Sequence, residues 1–143
     1  MKRIMMMGFA MLMILGSFVC NAQNNKKTAA TKTAAQKIEV YYFHFTRRCP
    51  TCMAVESESK KDLTILYPEQ FKKGMITFKS INLDEKSSES IAEKCQASGQ
   101  SLLVISGKKR TDLTSEGFMY ARNTPDKLKQ KIKSTIDPLL GSK

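Results

Sequence analysis

The sequence predicts an α/β fold, a mixed central β-sheet flanked by helices with its elements in the order β-α-β-α-β-β-α. Apolar runs typical of buried strands occupy residues 38–45, 75–83 and 101–105. Segments with helical periodicity separate these runs and follow the last of them. The chain has 143 residues, which is enough for one domain with a substantial core.

The N-terminus has the features of a secretory signal peptide over residues 1–22. Two basic residues precede the apolar stretch 4–19, and small residues stand at the −3 and −1 positions of a cut after Ala22. The alternative is a lipoprotein signal in which Cys20 is lipidated, although Val19 stands where that signal has a small residue. Either signal predicts export, and cleavage near Ala22 predicts a periplasmic or extracellular protein.

Removal of the signal lowers the net charge. The signal contains two of the 24 Lys and Arg residues. The other 22, with 13 Asp and Glu residues, give a net charge of +9. Residues 23–36 are a low-complexity stretch of Asn, Lys, Thr and Ala, and we expect a flexible linker there. The folded domain is expected to occupy residues 37–143.

The first predicted strand, residues 38–45, leads into a helix that begins at two closely spaced cysteines. Tyr67 and Pro68 should end this helix or begin a short irregular turn. Gly74 precedes the second strand, residues 75–83, and the crossover is long enough for a right-handed parallel βαβ unit. The positions on the buried face of the helix are Cys52, Val55, Ser59, Leu63 and Leu66.

Ser87 or Ser88 can cap the next helix, residues 89–97, which Gly99 should stop. The apolar run at residues 101–105 is typical of a central strand.

A turn at residues 106–108 then leads to a polar strand, residues 110–114. The short apolar stretch 117–121 is interpreted as an edge strand or an ordered loop. Thr124 caps and Pro125 opens the last helix. The apolar stripe of that helix consists of Leu128, Ile132, Ile136 and Leu139.

The candidate functional centre is the segment Cys49-Pro50-Thr51-Cys52. At the start of a helix, residues three apart share one side, which gives the Cα separation of about 5–6 Å that an unstrained disulfide requires. Pro50 occupies the first turn, where its missing N–H does no harm. A CxxC pair at the start of a helix after a strand indicates a thiol–disulfide redox centre.

Cys49 is the expected nucleophile of this centre. The unpaired N–H groups and the positive end of the helix dipole favour its thiolate. Arg47 and Arg48 add two cations beside it, so we expect its pKa to lie below the usual value of about 8.5. Cys52, one turn inside the helix, is expected to be the shielded resolving thiol. A thiolate stabilised in this way makes the couple more oxidising, which favours a disulfide donor or isomerase over a strong reductant.

Two other interpretations of the CxxC pair remain open. A structural zinc site needs four ligands, and outside the signal only Cys95 and His44 could complete the set. A structural disulfide is the second, although so short a loop removes little chain entropy. We expect no metal and no cofactor other than the redox-active disulfide Cys49–Cys52. Cys95 is expected to be a small core hydrophobe.

These residues resemble the thioredoxin superfamily over residues 37–140. The strand before CPTC, the strand end at residues 81–84, the helix at 91–95 and the strand at 102–105 occur in thioredoxin order. The segments YYFHFTRRCPTC, SLLVISG and DLTSEGFMYAR are more closely similar to a family of small exported thioredoxin-like proteins named nitrophenyl compound nitroreductase subunit, ArsF family. No flavin- or nicotinamide-binding glycine pattern is present.

The resemblance implies a thioredoxin-like fold in which Cys49 attacks and Cys52 resolves. This sequence departs from the family pattern at three positions. Phe43 stands in place of the buried acid, and Arg48 stands in place of the tryptophan before the first cysteine. The position of the cis-proline that faces the disulfide corresponds to Gln100 or Ser101, at the substrate groove.

Two further features concern the same centre. The dipeptide Pro50-Thr51 resembles the glutaredoxin type more than it resembles Gly-Pro. His44, the one histidine of the chain, is a candidate for the missing base.

The expected partners are protein or small-molecule thiols and disulfides, together with a recycling redox partner that is either soluble or membrane-bound. The lysine pairs are spread over the chain without a nucleic-acid-binding motif, so we expect no nucleic acid as a partner. The protein is expected to be a monomer. The alternative function is a non-catalytic thioredoxin-like binding module, or a subunit of a redox complex, with a structural disulfide and a basic surface that binds partners.

Overall fold

The computed structural model of the protein describes residues 37–141. The predicted signal peptide, residues 1–22, and the predicted linker, residues 23–36, lie outside this range. The nine main elements are β1 (Ile38–His44), α1 (Pro50–Leu66), α2 (Pro68–Lys72), β2 (Ile76–Asn82), α3 (Glu89–Cys95), β3 (Ser101–Ser106), β4 (Lys109–Asp112), α4 (Thr114–Tyr120) and α5 (Pro125–Ile136). Short 3₁₀ turns occupy Lys86–Ser88 and Asp137–Leu139.

The strands form a four-stranded mixed sheet in the order β2-β1-β3-β4. β1 and β2 are parallel, with Val40 opposite Phe78, and helices connect them, as the sequence predicts. β1 and β3 are antiparallel, with Val40 opposite Val104, and β4 is antiparallel to β3. The two central strands carry continuous apolar runs because helices cover both of their faces.

The two faces of the sheet carry separate cores, because side chains alternate along a strand. The larger core lies under α1, α4 and α5, and its fully buried members include Val55, Leu63, Leu102, Leu128 and Ile132. The smaller core joins Tyr41, Phe43 and Leu103 of the sheet to Ala92 and Cys95 of α3. The prediction of a mixed sheet flanked by helices is therefore confirmed.

The interpretation of residues 117–121 as an edge strand or loop is wrong, because this stretch belongs to helix α4 and its end. Leu113, Gly117 and Ala121 are buried, and a spacing of four residues is helical. Gly117 makes this helical spacing hard to recognise in the sequence. Packing nevertheless requires a glycine at this position. A Cβ at Gly117 would lie 3.1 Å from Cγ1 of Val55 in α1. The predicted strand 110–114 accordingly ends early, at Asp112.

Two other helix boundaries differ from the prediction. Tyr67 ends α1 as expected, but Pro68 then starts the additional short helix α2. α3 ends at Cys95 rather than near Gly99, because Gln96 takes a left-handed conformation with φ 54°. The N–H of Ala97 then donates to the carbonyl oxygen of Ala92 at 2.8 Å, which closes the helix end.

The last helix confirms the predicted stripe. Pro125 stands in its first turn, and Leu128, Ile132 and Ile136 are buried. Leu139 lies beyond it, partly buried in the following 3₁₀ turn. Within residues 37–141 none of the helices combines the length and apolar character that crossing a membrane requires.

Asp62 is a buried carboxyl on the inner side of α1. It is 3% exposed, and its Oδ2 has no hydrogen-bond partner among the described residues. Burial raises the pKa of this carboxyl to about 6, and the negative charge of Glu58 adds to the effect. The native state therefore holds the Asp62 proton more tightly than the unfolded chain, whose Asp pKa is about 3.9. The stability that this provides is complete below about pH 4 and is lost as the pH rises through about 6.

Asp62→Asn is accordingly expected to stabilise the protein at pH 7 by about 1–3 kcal/mol and to leave its stability near pH 4 almost unchanged. Urea unfolding of both proteins at several pH values between 4 and 7 measures the difference. Glu93→Gln, at an exposed position of α3, is the matched control and should shift stability little. Equal unfolding free energies of Asp62→Asn and the native protein at pH 7 would contradict the expectation.

Candidate redox site

The Cys49–Cys52 pair lies at the start of α1, after the loop that follows β1. β1 ends at His44, a short loop follows, and Cys49 is the N-cap residue of α1 with φ −83° and ψ 160°. The two Cα atoms are 5.1 Å apart and the sulfurs are joined in a disulfide. Cys49 is exposed, whereas Cys52 is only 3% exposed. An incoming thiol or disulfide therefore reaches the Cys49 sulfur first.

Backbone groups of the first helical turn surround Cys49. The N–H of Cys52 donates to Cys49 Sγ at 3.1 Å, and the N–H of Met53 donates to the Cys49 carbonyl oxygen at 3.1 Å. The sulfur thus occupies the place of a capping oxygen, at the positive end of the helix dipole. The same N–H would stabilise a negative charge on Cys49 Sγ after reduction.

The two arginines before the motif have different surroundings. Arg47 is exposed, whereas Arg48 forms an ion pair with Glu56, and its guanidinium carbon lies 5.8 Å from the centre of the Tyr42 ring. Burial raises the pKa of Tyr42, and the charge of Arg48 opposes that shift. The Arg48 charge is therefore largely compensated by Glu56, so the cationic environment expected around Cys49 is weaker than two free arginines would provide. The sequence did not indicate Glu56 as part of the site.

Gln100 and Ser101 precede and begin β3, and only one of them is recorded in contact with the cysteines. The Gln100 side-chain amide lies against Cys52, with Nε2 at 3.7 Å and Oε1 at 3.8 Å from Sγ. Ser101 is buried, and its hydroxyl donates to the carbonyl oxygen of Gly99 at 3.1 Å. Gln100 thus contacts the buried cysteine, whereas the Ser101 hydroxyl bonds within the turn before β3.

His44 is half-buried at the end of β1. Its Nδ1 lies 2.9 Å from the carbonyl oxygen of Phe45, which can only accept, so we assign the proton to Nδ1. The ring stacks on Tyr42 at 5.9 Å and borders a cavity with residues such as Asn82 and Glu85. None of these contacts involves a cysteine, so the proposed role of His44 as a base gains no support from its contacts.

The loop between β1 and α1 is tied to the end of β2. Asp84 accepts the N–H of Thr46 at 2.7 Å, and Asn82 Nδ2 donates to the Thr46 hydroxyl at 3.0 Å. Hydrogen bonds from Thr46, the backbone N–H first, lower the pKa of the Asp84 carboxyl. They hold the loop that presents Cys49, and they join residues almost forty positions apart in the sequence.

The rim of the site is partly apolar. Phe45 is 41% exposed and Met53 is 51% exposed, on either side of the cysteines in the sequence. Pro50 is exposed and Thr51 is half-buried. Exposed apolar side chains of this size are typical of surfaces that bind a partner.

The third described cysteine lies elsewhere. Cys95 is buried in the smaller core under α3, and burial raises the pKa of its thiol, which agrees with the expected structural role. Over residues 37–141, no cluster of three or more His, Cys, Asp or Glu side chains is arranged to bind a metal ion.

Comparisons with known proteins provide no family assignment. No protein-family model matches this chain, and no curated protein matches it. Among solved structures, a chain described as "Structure of a malarial protein" is 20% identical to it. That similarity covers 60% of this chain and 93% of the other, with a TM-score of 0.40. A score of this size does not establish a common fold.

Proposed function

We propose that this chain is an exported thiol–disulfide oxidoreductase with a thioredoxin-like fold and that Cys49 and Cys52 are its redox-active pair. The observation that carries the proposal is the difference between the two sulfurs. Cys49 is an exposed N-cap that accepts an N–H from the first turn, while Cys52 is buried behind it. The position of the pair after a central strand and at the start of α1, in a sheet whose β1 and β2 are parallel, supports the proposed fold.

The proposed reaction uses two exchange steps. The Cys49 thiolate attacks a substrate disulfide, so a Cys49–substrate bond forms and one substrate thiolate leaves. Cys52 then attacks Cys49 Sγ, which forms the Cys49–Cys52 disulfide and releases the second substrate thiolate. The protein loses two electrons, which the substrate gains. The reverse sequence oxidises a dithiol substrate.

The partners of this reaction are proposed to be protein or small-molecule thiols and disulfides, with a redox partner that restores the Cys49–Cys52 pair. The apolar side chains of Phe45 and Met53 at the rim support a peptide as substrate. The proposed location is the periplasm or the exterior of the cell.

The reduction potential of the Cys49–Cys52 pair tests this function. We expect a reversible couple between about −270 and −120 mV, the range of proteins that exchange disulfides. Equilibration of the purified protein against thiol buffers, followed by counting of free thiols by mass, measures it. Cys95→Ser is the control, because it removes the thiol in the other core and leaves the pair intact.

A pair that stays oxidised below about −300 mV would behave as a structural disulfide and would contradict the proposal. The binding-module alternative would then take its place. A module that holds its partner through a basic surface should lose that partner as salt rises, whereas exchange with a small disulfide should hardly change.

A further inference from the structure

The polar side-chain contacts recorded for the Cys52 sulfur both come from one amide. In the disulfide form, Gln100 Nε2 lies 3.7 Å from Sγ, within the range of an N–H hydrogen bond to sulfur, and Oε1 lies 3.8 Å from the same atom. Gln100 is half-buried and immediately precedes the central strand β3, so a rigid element fixes its backbone. The sulfur it contacts is 3% exposed and has little access to water.

We propose that Gln100 is the positioning residue of the resolving cysteine and that its amide serves both protonation states of Cys52. An amide carries an acceptor and two donors on one planar group. Oε1 accepts the S–H of the Cys52 thiol, and Nε2–H donates to the sulfur when it is a thiolate. The proposal rests on the exchange function above and specifies how its second step becomes favourable at a buried sulfur.

Burial is the reason that Cys52 needs such a partner. Removal from water disfavours the charged form, so a buried thiol without a donor would seldom be a thiolate at neutral pH. A neutral donor stabilises the Cys52 thiolate without placing a second negative charge beside it.

The charged and titratable groups on the surrounding elements have other recorded partners or no recorded contact with Cys52. Arg48 and Glu56 pair with each other, and Arg110 donates to the carbonyl oxygen of Cys95 and pairs with Asp112. Besides Cys49, the charged and titratable groups on the loop before α1, on α1, β1, β4 and α4 are Arg47, Arg48, Glu56, Glu58, Lys60, Lys61, Asp62, Glu39, Tyr41, Tyr42, His44, Lys109, Arg110, Asp112, Glu116 and Tyr120.

The second exchange step requires no proton transfer to or from the Gln100 amide. The Cys52 thiol gives its proton to a base of the solvent, and the resulting thiolate accepts the N–H of Gln100. Cys52 Sγ then bonds to Cys49 Sγ, the bond between Cys49 and the substrate sulfur breaks, and the substrate leaves as a thiolate. Gln100 gains and loses no proton.

The first test titrates Cys52 alone, by its thiolate absorbance in the Cys49→Ser background. Gln100→Met keeps the length and volume of the side chain but removes its N–H groups. We expect the thiolate fraction of Cys52 at a fixed pH to fall about tenfold, which moves the titration midpoint up by about one pH unit. Gln100→Glu should raise the midpoint as well, because a carboxylate repels the thiolate. Gln130→Met, the same change at an exposed site of α5, is the matched control.

The second test measures the two steps in protein that retains both cysteines. A small aromatic disulfide reports one thiolate when Cys49 attacks and a second when Cys52 resolves. Gln100→Met should leave the first step unchanged and slow the second about threefold, because the tenfold loss of thiolate is partly offset by the higher nucleophilicity of the more basic thiolate.

Unchanged Cys52 titration and unchanged resolution in folded Gln100→Met would overturn the inference. If that variant does not fold, an unchanged midpoint in Gln100→Glu would do the same. Failure of the exchange function itself has a different signature, because native protein would then release no thiolate even in the first step. The Cys52 titration still tests Gln100 in that case.

Discussion

Cys49→Ser is expected to abolish disulfide exchange, whereas Cys52→Ser is expected to stop the reaction at a stable mixed disulfide. The reason is the unequal exposure of the two sulfurs, since Cys49 is open to solvent and Cys52 is 3% exposed. Without Cys49 the buried thiol cannot reach a substrate. Without Cys52 the adduct on Cys49 has no internal nucleophile to release it. Intact mass after mixing each variant with a small aromatic disulfide measures the adducts.

Cys95→Ser is the control for this experiment because Cys95 lies in the core under α3. It should exchange at the native rate and retain no adduct. Adducts of equal yield on Cys49→Ser and Cys52→Ser would show that both sulfurs are accessible and would refute the assignment of roles. An adduct on Cys49→Ser alone would reverse the roles, which would also leave Gln100 in contact with the attacking sulfur.

The elements that the sequence predicts well are those whose burial is regular. β1, β2 and β3 appear as apolar runs because both faces of a central strand, or one face of an edge strand, lie against helices. α1 and α5 appear because their buried residues follow the helical period. α4 does not, because its buried position is Gly117 and glycine is usually a sign of a break.

The candidate site divides in the same way between local and distant contacts. The Cα separation and the capping position of Cys49 depend on four consecutive residues, so spacing alone predicts them. The shielding of Cys52 follows from the helical period of the buried residues in α1. The sequence did not predict the pairing of Arg48 with Glu56, because Arg48 precedes α1 and Glu56 lies eight positions later, inside the helix.

Contacts across the fold were still harder to predict. The contact of Gln100 with Cys52 spans 48 positions and depends on how β3 lies beside α1. The sequence could place Gln100 and Ser101 near the disulfide only through a family resemblance, and that resemblance could not choose between them. The anchoring of the loop by Asp84 was not predicted for the same reason.

Leu63→Ala is expected to destabilise the protein by about 2–5 kcal/mol, because the cavity it leaves lies between α1 and the sheet. Leu63 is 0% exposed and belongs to the larger core. Ile65→Ala, two residues further along α1 and 54% exposed, is the matched control and should change stability by less than about 0.5 kcal/mol. Urea unfolding of the three proteins gives the difference, with the slope of the transition checked for constancy.

The comparison of these two positions tests the orientation of α1 and therefore of the Cys49–Cys52 pair at its start. Cys52, Val55, Ser59 and Leu63 share the buried face of the helix, so rotation of α1 that exposed Leu63 would also expose Cys52. A large loss at Ile65 with little loss at Leu63 would mean that the helix faces the other way. Cys52 would then be open to solvent, and the argument that Cys49 attacks first would no longer hold. The expected loss at Leu63 alone keeps the resolving sulfur on the buried side, where Gln100 contacts it.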